Sequence, residues 1–274
     1  MREWPRLGKG EAMNEQLERA RAFARLHVPG APLVLFNVWD AGSARTVAGA
    51  GARALATGSH PVASAHGYED GEKIPLDLVF ANLERIVGAV DLPVSVDLEA
   101  GYGAGPEAVF ETVTRALSTG AVGCNLEDRV IGTQELFPVG ESAARVRAAR
   151  TAAERFGLHF FVNARTDLFL VTPAAEQDDA LVDAALERAA AWAAAGADGL
   201  FVPGLADEAR IARLCAASPL PVNLFARPDG PSLVRLAELG AARISHGPIP
   251  WRMAMLALAE AARAAHALSG PAAS

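Results

Sequence analysis

Short apolar runs alternate with longer segments of helical period along most of the chain. The apolar runs predict eight strands, at residues 32–39, 52–59, 93–99, 121–128, 159–167, 199–204, 221–228 and 243–248. The amphipathic segments between them predict helices at residues 76–90, 107–117, 141–156, 179–195, 207–216 and 232–239. Residues 16–26 predict an additional N-terminal helix before the first strand.

This regular alternation predicts an α/β fold, a (β/α)8 TIM barrel, because each strand is followed by a segment able to cross back over the sheet. Such a barrel needs about 250 residues, and the chain has 274. No Ser/Pro-rich linker divides it, so we expect residues 1–12 to form a flexible tail and residues 13–274 to form one barrel domain. An open doubly wound sheet is the structural alternative.

Composition and charge narrow the functional classes. A hydrophobic fraction of 51% suits a folded core, and a net charge of −7 disfavours nucleic acids and anionic membranes as partners. The two cysteines, Cys124 and Cys215, fit a reducing compartment. The sequence has neither a signal-peptide-like apolar segment nor an apolar run long enough to span a bilayer. We therefore expect a cytoplasmic protein that binds neither nucleic acid nor membrane.

The predicted strands become polar at their carboxyl ends, where barrel enzymes carry their chemistry. Asp97 and Glu99 end the third strand, and Glu127 ends the fourth. Three carboxylates at one rim repel each other unless a cation lies among them. Oxygen ligands suit Mg²⁺ or, alternatively, Mn²⁺. The pattern predicts a metal site at these residues, and the alternative that they cap helices or pair with nearby arginines stays open.

Other polar residues suggest how a substrate binds. Arg165 ends the fifth strand and has a planar fork that suits a substrate carboxylate, although an ion pair with Asp167 or Glu127 is the alternative. Asn223 either donates to a carboxylate or satisfies loop backbone, and His60 is expected to be structural. Both lysines of the chain lie outside the predicted strands, which disfavours Schiff-base catalysis.

Several motifs in a fixed order resemble the isocitrate lyase/phosphoenolpyruvate mutase superfamily. They are NVWDAGSAR (37–45), ATGS followed by HGYEDGE (56–72), VDLEAGYG (96–103), NLED (125–128), NARTD (163–167), PVNLFARP (221–228) and RISHGP (243–248). The resemblance covers residues 16–268 and implies a Mg²⁺-dependent barrel that acts on 2-oxo acids or their adducts. It also implies a homodimer or homotetramer that exchanges its last helix, for which residues 251–268 are the candidate.

The resemblance also implies residue roles. Asp97 matches the principal metal carboxylate, Glu99 and Glu127 match further members of the metal and water shell, and Asp70 matches a catalytic carboxylate near the metal. Arg165 matches the arginine that grips the substrate carboxylate. The positions that match substrate contacts of the family are Trp39, Asp40, Thr57, Gly58, Ser59, Arg165 and Asn223.

The loop after the fourth strand departs from the pattern of the lyases in this superfamily. Residues 129–138 read RVIGTQELFP and lack the Lys-Lys/Arg-Cys-Gly-His segment whose Cys serves as general acid or base. The loop Lys and Asn of phosphonate mutases are missing too. Where lyases have a glutamate after the sixth strand, this chain has Pro203-Gly204. Glu135 is the candidate catalytic group of the loop, provided that the loop closes over the site.

Three functional hypotheses follow. The leading one is a Mg²⁺-dependent carbon–carbon lyase, or a related hydrolase of oxaloacetate-like acids, that acts on a small 2-oxo or 2-hydroxy carboxylic acid through an enolate-like intermediate. The second is a mutase or hydrolase of phosphonopyruvate-like or phosphoenolpyruvate-like compounds. The third is a non-catalytic protein that binds 2-oxo acids.

Overall fold

The computed structural model describes residues 9–267, and its eight strands form a parallel barrel. From β2 to β8 each strand pairs with its sequence neighbour, and β1 pairs with β8. Between β1 and β2 the barrel closes through a single parallel bridge that joins Val38 to Thr57. The predicted (β/α)8 TIM barrel is therefore confirmed. The strands are β1 (Leu33–Leu35), β2 (Leu55–Ala56), β3 (Val94–Asp97), β4 (Gly123–Glu127), β5 (Phe161–Arg165), β6 (Gly199–Val202), β7 (Val222–Phe225) and β8 (Arg243–Ser245).

The helices surround the barrel, and each predicted helix has a counterpart in the structure. The helices are α1 (Lys9–Arg25), α2 (Ala41–Gly49), α3 (Ser59–Ala65), α4 (Leu76–Val87), α5 (Pro106–Ser118), α6 (Val139–Phe156), α7 (Leu168–Val171), α8 (Asp179–Ala195), α9 (Glu208–Ala217), α10 (Leu233–Glu238) and α11 (Ile249–Ala267). The sequence did not predict α2, α3 or α7, which are short. A 3-10 turn at Ala174–Glu176 precedes α8.

The N-terminal helix begins earlier than the sequence predicted. Residues 9–12 of the expected tail are the first turn of α1, which is a correction, and residues 1–8 lie outside the described residues. Gln16 donates from Nε2 to the carbonyls of Leu117 and Ala121, both at 2.9 Å. The Phe23 ring meets Phe161, the first residue of β5, edge to face at 5.5 Å between centroids. The helix therefore covers the amino-terminal end of the barrel.

The last helix, α11, leaves most of its apolar surface uncovered. Only Pro250 in it is buried, and Met253, Leu256 and Leu258 are each more than half exposed. The helix contacts the barrel near its start, where Trp251 meets Trp39 edge to face at 5.1 Å between ring centroids. Leu268, at the end of the expected exchanged segment, lies outside the described residues. Within residues 9–267, no helix is both long and apolar enough to cross a membrane.

Candidate active site

Two adjoining cavities open at the carboxyl ends of the strands, and together they form what we call the barrel mouth. The Asp97 cavity has a volume of about 360 Å³, and its wall includes Asp97, Asn125 and Ser245. The Glu127 cavity has a volume of about 250 Å³, and its wall includes Glu99 and Glu127. Ser59, Asp70 and Arg165 line both cavities. The structure thus brings the predicted carboxylates and the predicted arginine to one mouth.

Three of the acidic residues at the mouth, Asp97, Glu99 and Glu127, have raised pKa values. Burial, followed by the negative charges of Asp70 and Asp97, raises the pKa of Glu99 to about 7. Burial also raises the pKa of Asp97, with Asp70 acting in the same direction and Arg165 against it. Burial and neighbouring carboxylates raise the pKa of Glu127 well above its usual value. This clustered negative charge is the condition under which a divalent cation is stabilised.

Glu72 and Tyr102 hold the Glu99 carboxylate in place, and all three residues have strained backbones. Glu72, Glu99 and Tyr102 have φ values of 55°, 49° and 56°, in the left-handed region that non-glycine residues rarely adopt. The Glu72 amide donates to Glu99 Oε2 at 2.8 Å, and the Tyr102 hydroxyl donates to Glu99 Oε1 at 3.1 Å. The Tyr102 amide in turn donates to Glu72 Oε1 at 2.7 Å. Backbone strain of this kind is typical of functional sites.

Arg165 forms both ion pairs that the sequence offered as alternatives to substrate binding. Its Nε and Nη2 donate to the two oxygens of Asp167 at 2.6 and 3.0 Å, and its Nη1 lies 2.9 Å from Glu127 Oε2. Burial alone lowers the pKa of Arg165, but Glu127, Asp167 and Asp97 raise it, so the side chain stays charged. Because a guanidinium has five N–H donors, two remain for a ligand at the mouth.

The turn after β2, formed by Thr57, Gly58 and Ser59, contributes to the mouth in two ways. Gly58 and Ser59 line the Asp97 cavity directly. Thr57 does not line it, but its Oγ1 accepts a hydrogen bond from the Asp97 amide at 3.0 Å. The Ser59 amide donates to Asp97 Oδ2 at 3.4 Å. The turn therefore positions the predicted metal carboxylate.

Trp39, Asp40 and Glu135 do not line either cavity in this structure. Asp40 is the N-cap of α2, where its Oδ1 accepts from the Ser43 amide at 2.7 Å in a capping box. Glu135 lies exposed in the loop after β4. The substrate contacts expected of Trp39 and Asp40, and the catalytic role expected of Glu135, stay predictions.

Asn223 lies inside the barrel rather than on the cavity wall. Its Oδ1 accepts from the Ser245 hydroxyl at 3.2 Å, and its Nδ2 has no hydrogen-bond partner among the described residues. The predicted direct contact between Asn223 and substrate therefore stays a prediction.

Several residues at the mouth were missed as candidates from the sequence. Asn125, Ser245, His60 and Arg252 line the Asp97 cavity, and Arg129 lines the Glu127 cavity. The signal for Asn125 was available, because it lies two residues before Glu127 on β4 and so faces the same side of the strand. Arg252 lies in the first turn of α11, and no pattern in the sequence connects that helix with the mouth.

The donor set at the mouth fits a hard divalent cation. Asp97, Glu99 and Glu127 offer only oxygen ligands, as Mg²⁺ and Mn²⁺ prefer. Within residues 9–267, no three acidic, histidine or cysteine side chains stand close enough to coordinate one ion together. This arrangement suits an ion that keeps several waters, as Mg²⁺ usually does, with some carboxylates contacting it through those waters.

Comparisons with known proteins identify the family of this chain. The family model of phosphoenolpyruvate phosphomutase matches residues 23–266. A protein of Mycobacterium tuberculosis (strain H37Rv), named only as uncharacterized, is 35% identical over 243 residues, which cover 89% of this chain and 88% of that protein. The 2-methylisocitrate lyase of Escherichia coli (strain K12) is 29% identical over 218 residues, which cover 77% of this chain and 67% of the lyase.

A solved structure shows a similar barrel. The Burkholderia cenocepacia J2315 protein, provisionally named a phosphonomutase, is 55% identical, with a TM-score of 0.89 over 91% of this chain and 99% of that one. Fold and mouth thus define a (β/α)8 barrel of an enzyme class that includes lyases and mutases. The chain belongs to the isocitrate lyase/phosphoenolpyruvate mutase superfamily.

Proposed function

We propose that this protein is a Mg²⁺-dependent enzyme that acts on a small 2-oxo or 2-hydroxy carboxylic acid through an enolate-like intermediate. The single observation that carries the proposal is the convergence of Asp97, Glu99 and Glu127 with Arg165 at one mouth. Binding of a 2-oxo acid needs two groups: carboxylates that hold a cation for the 2-oxo oxygen, and a nearby arginine that binds the acid's carboxylate. Mn²⁺ is the alternative ion.

The bound ion would withdraw electrons from the 2-oxo group and stabilise an oxyanion there. Asp97 would hold the ion, with Glu99 and Glu127 completing its shell directly or through water. The two free N–H groups of Arg165 would orient the substrate carboxylate beside it. In lyase chemistry on a 2-hydroxy acid, a base takes the hydroxyl proton, and the hydroxyl oxygen forms a carbonyl as the carbon–carbon bond breaks. The electron pair of that bond forms the enolate of the other product, which then takes up a proton.

The mouth favours substrates with two acidic groups. Arg252 also lines the Asp97 cavity, and it forms no ion pair with any residue of the range 10–267. A second cation near Arg165 suits a second carboxylate of the substrate. A cavity of about 360 Å³ is large enough for a small dicarboxylate. We therefore propose a di- or tricarboxylate, such as an oxaloacetate-like acid, as the substrate.

Proton transfer is the part of the chemistry that the loop after β4 leaves open. That loop has no Cys, His or Lys, and Glu135 would need to move to reach the mouth. Asp70 and His60 already line the Asp97 cavity. The His60 Nδ1 is buried and has no partner among the described residues. These two side chains are therefore the titratable groups we propose for proton transfer, with Glu135 joining them on loop closure.

We further propose that the protein is a homodimer or homotetramer that exchanges α11 between subunits. The exposed Met253, Leu256 and Leu258 support this, because apolar groups on an isolated helix face are covered in a stable protein. In such an assembly the partner subunit would supply α11, and with it an arginine at the position of Arg252, to the barrel mouth. The small-molecule substrate is the only other partner we propose, and we place the protein in the cytoplasm.

Phosphorus chemistry is the second candidate function, supported by the 55% identity to the protein provisionally named a phosphonomutase. The same oxyanion-binding groups would serve a phosphonopyruvate-like substrate, whose phosphonate takes the place of the second carboxylate. A third outcome is a protein that binds 2-oxo acids without turnover.

The test is a panel of 2-hydroxy di- and tricarboxylates, oxaloacetate-like acids and phosphonopyruvate, incubated with Mg²⁺ and followed by proton and phosphorus NMR. Release of pyruvate, glyoxylate or oxalate supports the proposal, and EDTA should abolish this release. Arg165→Lys keeps the charge but loses the fork and should lower turnover, whereas Arg213→Lys, at an exposed ion pair with Asp183, should not. Phosphate release alone would favour the second candidate, and binding without any turnover would refute catalysis.

A further inference from the structure

A buried arginine lies inside the barrel without a carboxylate partner. Arg243, the first residue of β8, is 1% exposed, and its guanidinium forms no ion pair among the described residues. Its Nε donates to Ser245 Oγ at 3.3 Å, its Nη2 donates to Asn125 Oδ1 at 3.2 Å, and its Nη1 has no partner. A buried charge without a counter-ion is costly. Its presence therefore calls for a function that offsets this cost.

The bond from Arg243 fixes the direction of the Asn125 amide. Asn125 Oδ1 also accepts from Asn163 Nδ2 at 2.9 Å, so both lone pairs of this oxygen are engaged inside the barrel. Its Nδ2 is then the end left free for the Asp97 cavity, whose wall includes Asn125. Asn125 is also the register partner of Asp97 on the neighbouring strand. The amide N–H is therefore directed towards the place where an anion would bind beside Asp97.

The same arginine reaches a second residue of the cavity wall. Ser245 accepts from Arg243 and donates to Asn223 Oδ1 at 3.2 Å, so its hydroxyl proton is directed into the barrel. Asn163, Asn125, Arg243, Ser245 and Asn223 thus form one hydrogen-bonded chain across β5, β4, β8 and β7. Removing Arg243 would break this chain in the middle and leave the Asn125 amide held only by its bond to Asn163.

We propose that Arg243 is a positioning residue that holds the Asn125 amide so that its Nδ2 donates to the oxyanion of a ligand bound at the barrel mouth. The inference rests on the proposed function, since it requires an anionic ligand in the Asp97 cavity. The charge of Arg243, which interacts with Asp97 at a distance but forms no ion pair among the described residues, adds a favourable field for the same anion, because the interior screens charges weakly. An arginine thus acts on the substrate through Asn125 without touching it.

The test measures the affinity of oxalate, a planar dianion that resembles the enolate of pyruvate, in the presence of saturating Mg²⁺ by isothermal titration calorimetry. Arg243→Met replaces the charge by an apolar side chain of similar length, and Arg243→Lys keeps the charge. We expect Arg243→Met to bind oxalate at least about tenfold more weakly and Arg243→Lys to fall between it and the unchanged protein. Thermal unfolding checks that each variant is folded.

A matched control separates positioning from general destabilisation. Arg150 is also largely buried, but it is ion-paired to Asp198 beside His159, away from the mouth. Arg150→Met should lower the unfolding temperature and leave oxalate affinity unchanged. For Arg243→Met a purely structural role predicts a lower unfolding temperature at unchanged affinity, and that result would overturn the proposal.

A second variant keeps the proposal testable if Arg243→Met does not fold. Asn125→Ala removes the amide that Arg243 holds, and we expect at least about a tenfold loss of oxalate affinity. Unchanged affinity in Asn125→Ala would overturn the proposal in that case. Failure of the unchanged protein to bind oxalate with Mg²⁺ would instead refute the proposed function itself, so the two failures are distinguishable.

Discussion

The acid sensitivity of this fold should depend on one buried histidine under the barrel. His27 follows α1 and is 8% exposed, with its ring stacked on Phe161 at 4.0 Å between centroids. Its Nδ1 lies 2.9 Å from the Phe23 carbonyl, and its Nε2 has no partner among the described residues. Burial, followed by the positive charge of Arg243, lowers the pKa of His27 from 6.5 to about 3. The native protein therefore keeps this ring neutral in mild acid.

The sign and size of the effect follow from this pKa. Below pH 6.5 the unfolded chain binds a proton at His27 that the native protein does not bind until about pH 3. The contribution of His27 to stability is therefore lost progressively as pH falls through this window. At pH 5, which is about 1.5 units below the pKa of His27 in the unfolded chain, protonation of the unfolded chain lowers the unfolding free energy by about 2 kcal/mol.

The assay is urea unfolding followed by circular dichroism at pH 7 and pH 5. From pH 7 to pH 5 the unfolding free energy of the wild-type protein should fall by about 2 kcal/mol more than that of His27→Gln, whose side chain does not titrate. Comparing the two proteins removes the contribution of the carboxylates, which titrate in both. Equal losses in the two proteins would refute the buried, neutral state of His27 and with it the packing of α1 under the barrel.

Two further predictions concern packing inside the barrel and charge at its mouth. A Cβ at Gly199 would lie 2.6 Å from Asn163 Oδ1, so Gly199→Ala should destabilise the protein by about 1–3 kcal/mol in urea unfolding. Gly49→Ala, at a helix position with open space around it, should instead be neutral or stabilising, and equal effects would contradict this reasoning. Arg252→Ala should raise KM for a dicarboxylate about tenfold or more and barely change KM for a monocarboxylate; equal changes for both would argue against a second carboxylate site.

The sequence was sufficient to predict the barrel because its signal is repeated. Each of the eight strands is a short apolar run between longer amphipathic segments, and a misjudged boundary does not change that rhythm. Short helices were missed for a physical reason. Over the nine residues of α2, Ala and Gly outnumber large apolar residues, so no amphipathic period is visible. Its start was nevertheless marked by the capping pair Asp40 and Ser43.

The candidate site was predictable in part, because parallel strands place their carboxyl ends together whatever their loops do. That rule alone brings Asp97, Glu127 and Arg165 to one mouth. It does not show which side chains pair with each other, so the ion pairs of Arg165 with Glu127 and Asp167 had to be read from the structure. Residues that reach the mouth from outside the strands, such as Arg252 on α11, could not be predicted, because the strand pattern does not determine where the last helix packs.

We propose that acidic side chains at the barrel mouth hold a divalent cation to which a 2-oxo acid binds. The most direct measurement is calorimetric titration of pyruvate and oxalate into the protein, with Mg²⁺ and with EDTA, for the unchanged protein and for Asp97→Ala. We expect Mg²⁺-dependent binding that Asp97→Ala weakens by about a hundredfold or more. Metal and ligand affinities that Asp97→Ala leaves unchanged would contradict it.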